Sequence, residues 1–575
     1  MAEANQQGQK AAKTPMTIKQ GMIKRLSMMK LERSTFDQHW QSIATVTSPR
    51  SARFFSSDRN RGERRNQAIY DETAVFALRT LASGMMAGLT SPARPWFRFS
   101  LKNRVLLKSS TVRAWLFEVE QILRDVFNGS NYYQALPQVY TQLGDFGTAA
   151  MIILEDDKDV IRCHAMPIGS FYLASDSAGR VNALYREYSM TVGQLVDDFG
   201  FENCSVSTQG LYNAGKIDGW VEVLHAIEPN DGRDSSKIGN KNMPYRSVRI
   251  EKASPTGDEV YLDFRGFEEF PVCAPRWEVT GEDIYGCSCP GMIALPAIQM
   301  LNRTVKLFDK VANKIADPPL IVDAMLRNDT FSMMAGGLNY ISGLAQAAGA
   351  GARAVHEIHP TTLQPIAEKI AVLQKQIQRA FFEDMMQMFA TSDLGDMTAR
   401  EVEERHQEKL LILGPVMERQ DEELLDCSIH RTFRILERRG RIPPIPPEMK
   451  GQPITIEYVS VMASAQKMVA TASIDRLASF VGNLAAQFPE AADVFNADAA
   501  VREEADCLGT IPSVIRSEDD VKAIRAQRQQ AQQKQAQAAQ MAQMAPAMQQ
   551  GADAARLLSE TGVGDSTALN RILGQ

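Results

Sequence analysis

Apolar residues recur at every third or fourth position along two stretches in the second half of the chain, as on one face of an α-helix. In the first stretch, from about Ala297 to Ala316, these positions are Ile298, Leu301, Val305, Phe308, Ala312 and Ile315. In the second, from about Gln364 to Phe389, they are Ile366, Ile370, Leu373, Ile377, Phe381, Met385 and Met388. The pattern therefore predicts two helical rods, and Asp317-Pro318-Pro319 ends the first because proline cannot continue a helix.

The first rod carries a second pattern beside the apolar one. Its basic residues recur at the same spacing on a different face; they are Arg303, Lys306, Lys310 and Lys314. A rod of roughly 30 Å with a basic stripe is predicted.

The first half of the chain mixes short elements of both kinds. An apolar helix is predicted over Asp71 to Leu89, where Gly84 and Gly88 allow another segment to approach closely. Between about Leu101 and Gly286, two further helices are predicted over Val112 to Phe127 and Tyr133 to Phe146. Strand-like runs lie between and after them; they are Ala149 to Leu154, Phe171 to Ala174 and Trp220 to Glu228. The fold class is α+β and predominantly helical.

A long helix is expected after the second rod. Thr398 and Glu401 have capping-box spacing, so the helix starts near Ala399, and it runs to Arg439 with an expected kink at Gly414-Pro415. Beyond Gly440 come a proline-rich connector, IPPIPP, and a strand over Ile454 to Val459. Helical segments are predicted over Ala463 to Phe488 and about Ala497 to Leu508. The Gln/Ala run through Gln550 leaves two alternatives open, low-complexity disorder or a helix that packs on copies of itself.

Composition narrows the class of protein without naming a function. The 575 residues are 44% hydrophobic and 23% charged, which is typical of a water-soluble globular protein. The net charge of −6 argues against a uniformly basic DNA coat. The first seventy residues nevertheless hold thirteen Lys/Arg against five acids. The arginines from Arg50 to Arg65 fit phosphate contact, although a solvated face or a contact with an acidic neighbouring subunit is the plainer interpretation.

Motifs with known chemistry are incomplete. The string from Gly210 to Lys216 has P-loop spacing, but Ile217 replaces the hydroxyl residue that would hold magnesium. His356 and His359 are three positions apart, one short of the zincin spacing, and Cys287-Ser-Cys289 is not part of paired CxxC units. No catalytic residue, cofactor site or metal site is predicted.

Two further features concern the environment of the protein. The seven cysteines are scattered, which indicates a reducing compartment and not a disulfide framework. The charge-free window from Thr330 to Ala352 is interrupted by glycines and polar residues, so we interpret it as a loop and expect no contact with a membrane.

The order of these parts resembles the portal, or head-to-tail connector, proteins of short-tailed bacteriophages. The similar strings are YDETAVFALRTLASGMMAGLTSPARPWFRF near the N-terminus and MTAREVEERHQEKLLILGPVMERQDEELLDCSIHRTFRILERRGRIPPIPP in the second half, followed by YVSVMASAQK and the Ile-Pro-x-x-Ile-Arg string from Ile511 to Arg516. No single string identifies the family, but their order extends over most of the chain, from about Asp37 to Arg528.

The resemblance implies a portal-type subunit with a defined order of parts. These are an α/β wing and N-terminal body (1–289), stem helix 1 (290–317), the clip (318–363), stem helix 2 (364–390), a channel loop (391–397), the long kinked wing helix with its connector and strand (398–462), the crown (463–516), a possible barrel helix (517–550) and a C-terminal tail (551–575). The channel loop comprises Thr391, Ser392, Asp393, Leu394, Gly395, Asp396 and Met397. The basic stripe of Arg303, Lys306, Lys310 and Lys314 would face the channel or an adjoining subunit.

The function that the resemblance implies is that of a conduit. Identical subunits, usually twelve, form a ring at one vertex of the capsid, assembled in the host cytoplasm, and double-stranded DNA passes through it without sequence recognition during packaging and ejection. The expected partners are the terminase large subunit, tail adaptor proteins, the major capsid protein and scaffolding protein. Two alternatives remain, a tail or adaptor structural protein of the same virion and a packaging ATPase. An intact Walker A motif would favour the ATPase.

Overall fold

The computed structural model describes most of the chain up to residue 458 and shorter pieces beyond it. The described residues are 17–54, 62, 64–103, 106–234, 236–237, 239–254, 260–323, 332, 334–341, 353–354, 363–390, 414–458, 476–485, 488, 490, 494–507 and 520–537. Among them, two compact units are distinguished, residues up to 102 together with 115–495, and residues 103–114 together with those from 496 onward.

Helices form the larger part of the described secondary structure. In chain order they are α1 (Ile18–Ala44), α2 (Thr73–Leu89), α3 (Ser110–Gly129), α4 (Tyr132–Phe146), α5 (Val192–Phe199), α6 (Val206–Asn213), α7 (Pro290–Ala316), α8 (Leu363–Ala380), α9 (Glu383–Ala390), α10 (Cys427–Arg438), α11 (476–485), α12 (Ala497–Cys507) and α13 (520–537). The predicted helices of the first half correspond to α2, α3 and α4, so those predictions are confirmed.

The described strands form four sheets. They are β1 (Phe97–Leu101), β2 (Ala150–Asp156), β3 (Val160–Met166), β4 (Phe171–Ser175), β5 (Val181–Thr191), β6 (Trp220–Pro229), β7 (Tyr245–Glu251), β8 (Asp263–Phe267), β9 (Val272–Cys273), β10 (Leu320–Asp323), β11 (Leu338–Ile341), β12 (Arg353–Ala354) and β13 (Ile454–Tyr458). The largest sheet is a five-stranded antiparallel meander, β4-β5-β6-β7-β8. The others are β3-β2-β9, the antiparallel pair β1-β13, and β11-β10-β12. The α+β fold class is confirmed.

Helix α1 packs on the five-stranded sheet. Its buried positions recur at helical spacing and combine apolar and basic side chains; they are Lys19, Met22, Leu26, Met29, Arg33 and Trp40. A capping box at Thr17 and Gln20 starts the helix. Trp40 reaches a second core, where its Nε1–H donates to the carbonyl of Phe146 at 3.0 Å. Sequence patterning did not reveal this helix, because charged residues occupy part of its buried face.

The two predicted rods pack side by side as the hairpin of α7 and α8. Helix α7 begins at Pro290, earlier than the apolar pattern indicated, because Pro290 occupies the first helical turn and Pro296 is accommodated inside the helix. It ends at Ala316, as predicted.

The second rod is not one continuous helix. We predicted helix from Gln364 to Phe389, but the structure divides it into α8 and α9. Phe382 adopts a left-handed backbone, with φ of 54°, so the helix is interrupted there. Phe381 is fully buried, and the Phe382 ring stacks on Trp277 at 6.5 Å. The prediction was wrong at this point because the periodicity of the apolar residues continues across the break.

The break directs α9 onto α2. Met386 of α9 lies directly against the Cα of Gly84, where any side chain on residue 84 would collide with it. The close approach expected at the glycines of α2 is therefore made at Gly84 by the side chain of a methionine.

Part of the expected long helix is described. Residues 414–420 are α-helical, Asp421–Asp426 form a π-helical turn, and α10 continues to Arg438. Gly440 follows with φ of 64°, so the predicted end at glycine is confirmed. The predicted capping box at Thr398 and Glu401 lies outside the described residues. Strand β13 confirms the predicted strand after the proline-rich connector.

The second unit contains α12 and α13. Arg525 of α13 forms a bidentate ion pair with Asp498 of α12, with distances of 2.6 and 2.7 Å. Helix α13 lies within the segment that the resemblance assigns to the barrel, and the rest of that segment beyond residue 537 lies outside the described part of the chain.

Candidate functional site: the basic helical hairpin

Helix α7 is fastened to the body by an asparagine on its buried face. Asn302 Oδ1 accepts hydrogen bonds from the backbone N–H groups of Tyr70 and Asp71, at 2.7 and 3.0 Å. Asp71 in turn accepts from Gln374 Nε2 of α8 at 2.9 Å, and from the backbone N–H of Thr73 at the start of α2. These bonds join α2, α7 and α8 at one point. Sequence reasoning missed Asn302, although a polar residue beside the apolar positions of α7 was a signal.

The four basic residues of α7 lie on the outer side of this hairpin. Arg303, Lys306 and Lys310 are exposed and Lys314 is partly exposed. No carboxylate of the described residues lies within ion-pairing distance of any of them; Lys306 Nζ lies 5.0 Å from the centre of the Tyr70 ring, a cation–π contact. The structure thus brings the predicted stripe together as one surface whose charge is not neutralised by the described part of its own chain.

An apolar stripe runs beside the basic one. Ile293, Met300 and Leu307 follow each other at intervals of seven residues and are 62%, 47% and 53% exposed. On α8, Val372 is 54% exposed on the side turned away from the buried Leu373 and Ile377. The hairpin therefore has apolar side chains on the outer faces of both helices. Seven-residue spacing is the pattern by which one helix packs along another.

The basic residues near the N-terminus have a different environment. Arg25 of α1 pairs with Glu228 of β6 at 2.5 Å, and Lys30 pairs with Glu187 of β5 at 2.7 Å. Arg33 is buried, pairs with Asp37 at 2.8 Å, and donates to the carbonyls of Gly169 and Phe171. Arg25, Lys30 and Arg33 thus hold α1 to its own chain. The alternatives drawn from the sequence concerned the later run from Arg50 to Arg65. Residues 55–61 and 63 of the arginine-rich run lie outside the described residues.

The other predicted features are placed as follows. The channel loop, residues 391–397, and the His356–His359 pair lie outside the described residues. The P-loop-like string lies at the end of α6 and in the turn before β6, so a helix precedes it and a strand follows it. A P-loop has the reverse order, strand then helix.

The cysteines near the start of α7 are parts of the local structure. Cys289 caps the N-terminus of α7 as a buried residue, and its Sγ–H donates to the carbonyl of Asp145 at 3.3 Å. Cys287 Sγ lies 3.1 Å from Thr280 Oγ1. Within the described residues, no group of three or more His, Cys, Asp or Glu side chains is arranged to hold a metal ion. Likewise, no helix in the described part of the chain combines the length and apolar character needed to cross a membrane.

Comparisons with known proteins show the family of this chain. The family described as bacteriophage head to tail connecting protein matches residues 19–515. The chain is 41% identical to the portal protein of Salmonella phage epsilon15 over 559 residues, which are 97% of this chain and 98% of that protein. It is 40% identical to a probable portal protein of Bordetella phage BPP-1 over 552 residues, 96% of this chain and 97% of that one. The chain therefore belongs to the bacteriophage head to tail connecting protein family.

Proposed function

We propose that this protein is the portal of a short-tailed bacteriophage, a ring at one capsid vertex through which double-stranded DNA enters and leaves the head. Membership of the head to tail connecting family, over most of the chain, carries this conclusion. The α7–α8 hairpin supports it, because its outer faces require partners that the described part of the chain does not contain.

The hairpin favours a closed ring over a two-fold dimer. The apolar stripe of α7 and the exposed Val372 of α8 are different surfaces on two different helices. When one such face packs on the other face of the next copy, the contact is head-to-tail, and head-to-tail contacts form a ring when the rotation between copies closes. We therefore propose that α7 and α8 are the two stem helices, and that neighbouring stems cover Ile293, Met300 and Leu307.

The basic stripe fits a channel through which DNA slides better than a surface that binds DNA tightly. Each cation in contact with a phosphate adds affinity that falls steeply with salt, so a bore lined densely with lysine would hold the DNA in place. Four cations spaced along α7 provide a sparse positive surface, in a protein whose net charge is negative. We propose that Arg303, Lys306, Lys310 and Lys314 face either the bore or an adjoining stem.

The remaining assignments follow the family order. We propose residues 318–363 as the clip, within which β10, β11 and β12 form a small sheet, and residues 391–397 as the loop that narrows the channel. The crown (463–516) and the barrel (517–550) would follow the wing helix. Terminase would bind the ring during packaging, and tail adaptor proteins would bind it afterwards. The head-side partners would be the major capsid and scaffolding proteins, with assembly in the host cytoplasm.

Native mass spectrometry of the purified protein tests the ring, and a phosphate-release assay tests the alternative of a packaging ATPase. We expect a closed oligomer, with twelve as the expected number of subunits, and no ATP turnover. A stable monomer would contradict the proposal. Turnover that disappears in Lys216→Ala would instead assign ATPase activity to the P-loop-like string, and turnover that survives the substitution would place it elsewhere in the chain.

A further inference from the structure

Two cysteines distant in sequence meet where the wing helix crosses the sheet β3-β2-β9. Cys273, in β9, is fully buried and its Sγ lies 2.7 Å from Sγ of Cys427, the first residue of α10. The two thiols are separated by 154 positions along the chain. This distance is shorter than the separation of two sulfur atoms in ordinary van der Waals contact.

Ion pairs on both sides fix this juxtaposition. Arg276, three residues after Cys273, pairs with Glu423 of the π-helical turn at 2.5 Å, and its backbone N–H donates to the same carboxylate at 2.8 Å. Arg431, four residues after Cys427, is buried and pairs with Glu269. The strand and the helix are thus held in register on both sides of the thiol pair.

We propose that Cys273 and Cys427 are a modification site that forms an intramolecular disulfide when the protein meets an oxidising environment. The segment between the two residues includes the whole α7–α8 hairpin. The bond would therefore close the root of the hairpin covalently, and β9 and α10 could no longer separate when force acts on the stem. Cytoplasmic thiols remain reduced, whereas proteins outside the cell meet oxidants, so the bond would form after release of the particle. Only this timing rests on the proposed function.

Hydrogen peroxide is the simplest oxidant for the step, because it is small and Cys273 is fully buried. The Cys427 thiolate attacks one peroxide oxygen, the O–O bond breaks, and hydroxide leaves and takes up a proton to become water. Cys273 then attacks the sulfur of the resulting sulfenic acid, the S–O bond breaks, and a second water leaves. In sum, two thiols lose two electrons and two protons to one peroxide, which becomes two waters.

The local environment predicts a slow reaction. The hydrogen bond shared with Cys273, and after it burial, raise the pKa of the Cys427 thiol well above its ordinary value. Only the thiolate reacts, and its fraction grows as the pH rises. At pH values below that pKa, each unit increase in pH should therefore raise the rate about tenfold.

Peptide mapping of the intact assembled protein after peroxide treatment tests the proposal. We expect a cross-linked peptide pair containing residues 273 and 427, removed by a thiol reductant and absent from Cys273→Ala and Cys427→Ser. Cys163→Ser is the matched control, because Cys163 is a buried cysteine of the same sheet, and the cross-link should persist in it. The oxidised wild type should also unfold at a higher temperature than the reduced form.

Three results would overturn the proposal. These are oxidised protein without the 273–427 peptide pair, a cross-link from Cys163 to Cys273 instead, or a cross-link that lowers the unfolding temperature. The wild-type mapping requires no variant to fold. Its failure would leave the ring measurement unaffected, so the two proposals can be rejected separately.

Discussion

Helices α1 and α7 are both amphipathic and both basic, yet their cations have opposite environments. Arg25, Lys30 and Arg33 of α1 end on acids and carbonyls of their own chain, such as Glu228 and Glu187. Those of α7 have no acidic partner among the described residues. The difference shows that a run of basic residues does not by itself identify a nucleic-acid surface. What matters is whether the fold supplies carboxylates opposite the run, and this depends on residues two hundred positions away.

The largest effect is expected where α1 depends on a buried acid. Glu228 is 3% exposed and accepts from Arg25, Arg246 and the hydroxyl of Tyr185. Glu228→Ala should destabilise the protein by about 3 kcal/mol, because it leaves these donors without their common acceptor. Thermal unfolding measures the change. Glu268→Ala is the control: this acid is 55% exposed and pairs with Arg438, so its loss should cost less than about 1 kcal/mol. Equal effects would show that the buried acid is not what holds α1.

Asp421, a partly buried acid of the π-helical turn, allows the effect of burial on a carboxyl group to be tested by pH. Burial, and the nearby Asp426 and Glu418, raise the pKa of Asp421 from 3.8 to about 7. Between these values the folded chain binds more protons than the unfolded chain, so stability falls as the pH rises. Asp421→Asn should therefore raise the unfolding temperature at pH 8, which corresponds to a gain on the order of 2 kcal/mol in the free energy of unfolding. The gain should be much smaller at pH 4.

Asp156 provides the opposite case for this pH experiment. Backbone hydrogen bonds from Asp159 and Lys158 lower its pKa, so its stabilising contribution is present at neutral pH and is lost on acidification. Asp156→Asn should not raise the unfolding temperature at pH 8. If Asp156→Asn raised the unfolding temperature as much as Asp421→Asn, burial of Asp421 would not be the cause of its effect.

The apolar stripe of α7 allows a test of assembly. Leu307→Ala should weaken each contact between subunits by about 1 kcal/mol, because less apolar surface is buried there. Ring yield, measured by native mass spectrometry over a dilution series, should fall at low concentration. Leu31→Ala makes the same change on the outer face of α1, where Leu31 is 71% exposed, and should leave ring yield unchanged. If Leu31→Ala lowered the ring yield and Leu307→Ala did not, the subunit contact would lie on α1 and not on α7.

The smallest effect is expected from a single cation of the basic stripe. Exposed ion pairs contribute only about 0.2–1 kcal/mol, so Lys310→Ala should leave the ring intact and change only packaging or its dependence on salt. Lys24→Ala, at an exposed position of α1, is the control and should change neither. Loss of the ring in Lys310→Ala would show that the stripe is an assembly contact.

The role of residues 391–397 as a channel loop can be tested by measuring ring yield and DNA packaging in the same variant. Residues 391–397 contain Ser392, Asp393, Gly395 and Asp396, and little apolar surface. Deletion of residues 393–396 should leave ring yield unchanged and lower the fraction of heads that retain a full genome, because the loop is expected to act as a valve. A fall in ring yield would show that the loop contributes to assembly. An unchanged fraction of full heads would show that the loop is not a valve.

Sequence patterning worked where one physical signal dominated. The apolar spacing of α7 and the proline pair after Asp317 placed its body and its end, and Gly440 placed the end of α10. Patterning failed where two signals conflicted. Helix α1 buries Lys19 and Arg33, so its polar and apolar faces overlap in sequence. The break at Phe382 depends on the burial of Phe381 and on the stacking of the Phe382 ring on Trp277, which is distant in sequence.

The candidate site was predictable in part for the same reason. The four cations of α7 follow from spacing alone. That they have no acid opposite them, whereas Arg25 and Lys30 do, depends on the register of β5 and β6 against α1. No local pattern encodes that register, so the sequence alone could not separate the two basic regions.

An end-on electron-microscopy reconstruction of the purified oligomer tests the central claim most directly. If the cations of α7 serve a partner beyond their own chain, the map should show a closed ring with Arg303, Lys306, Lys310 and Lys314 on the bore or at the contact with the next stem. A ring in which this stripe faces the outer solvent, or a protein that forms no ring, would contradict the account.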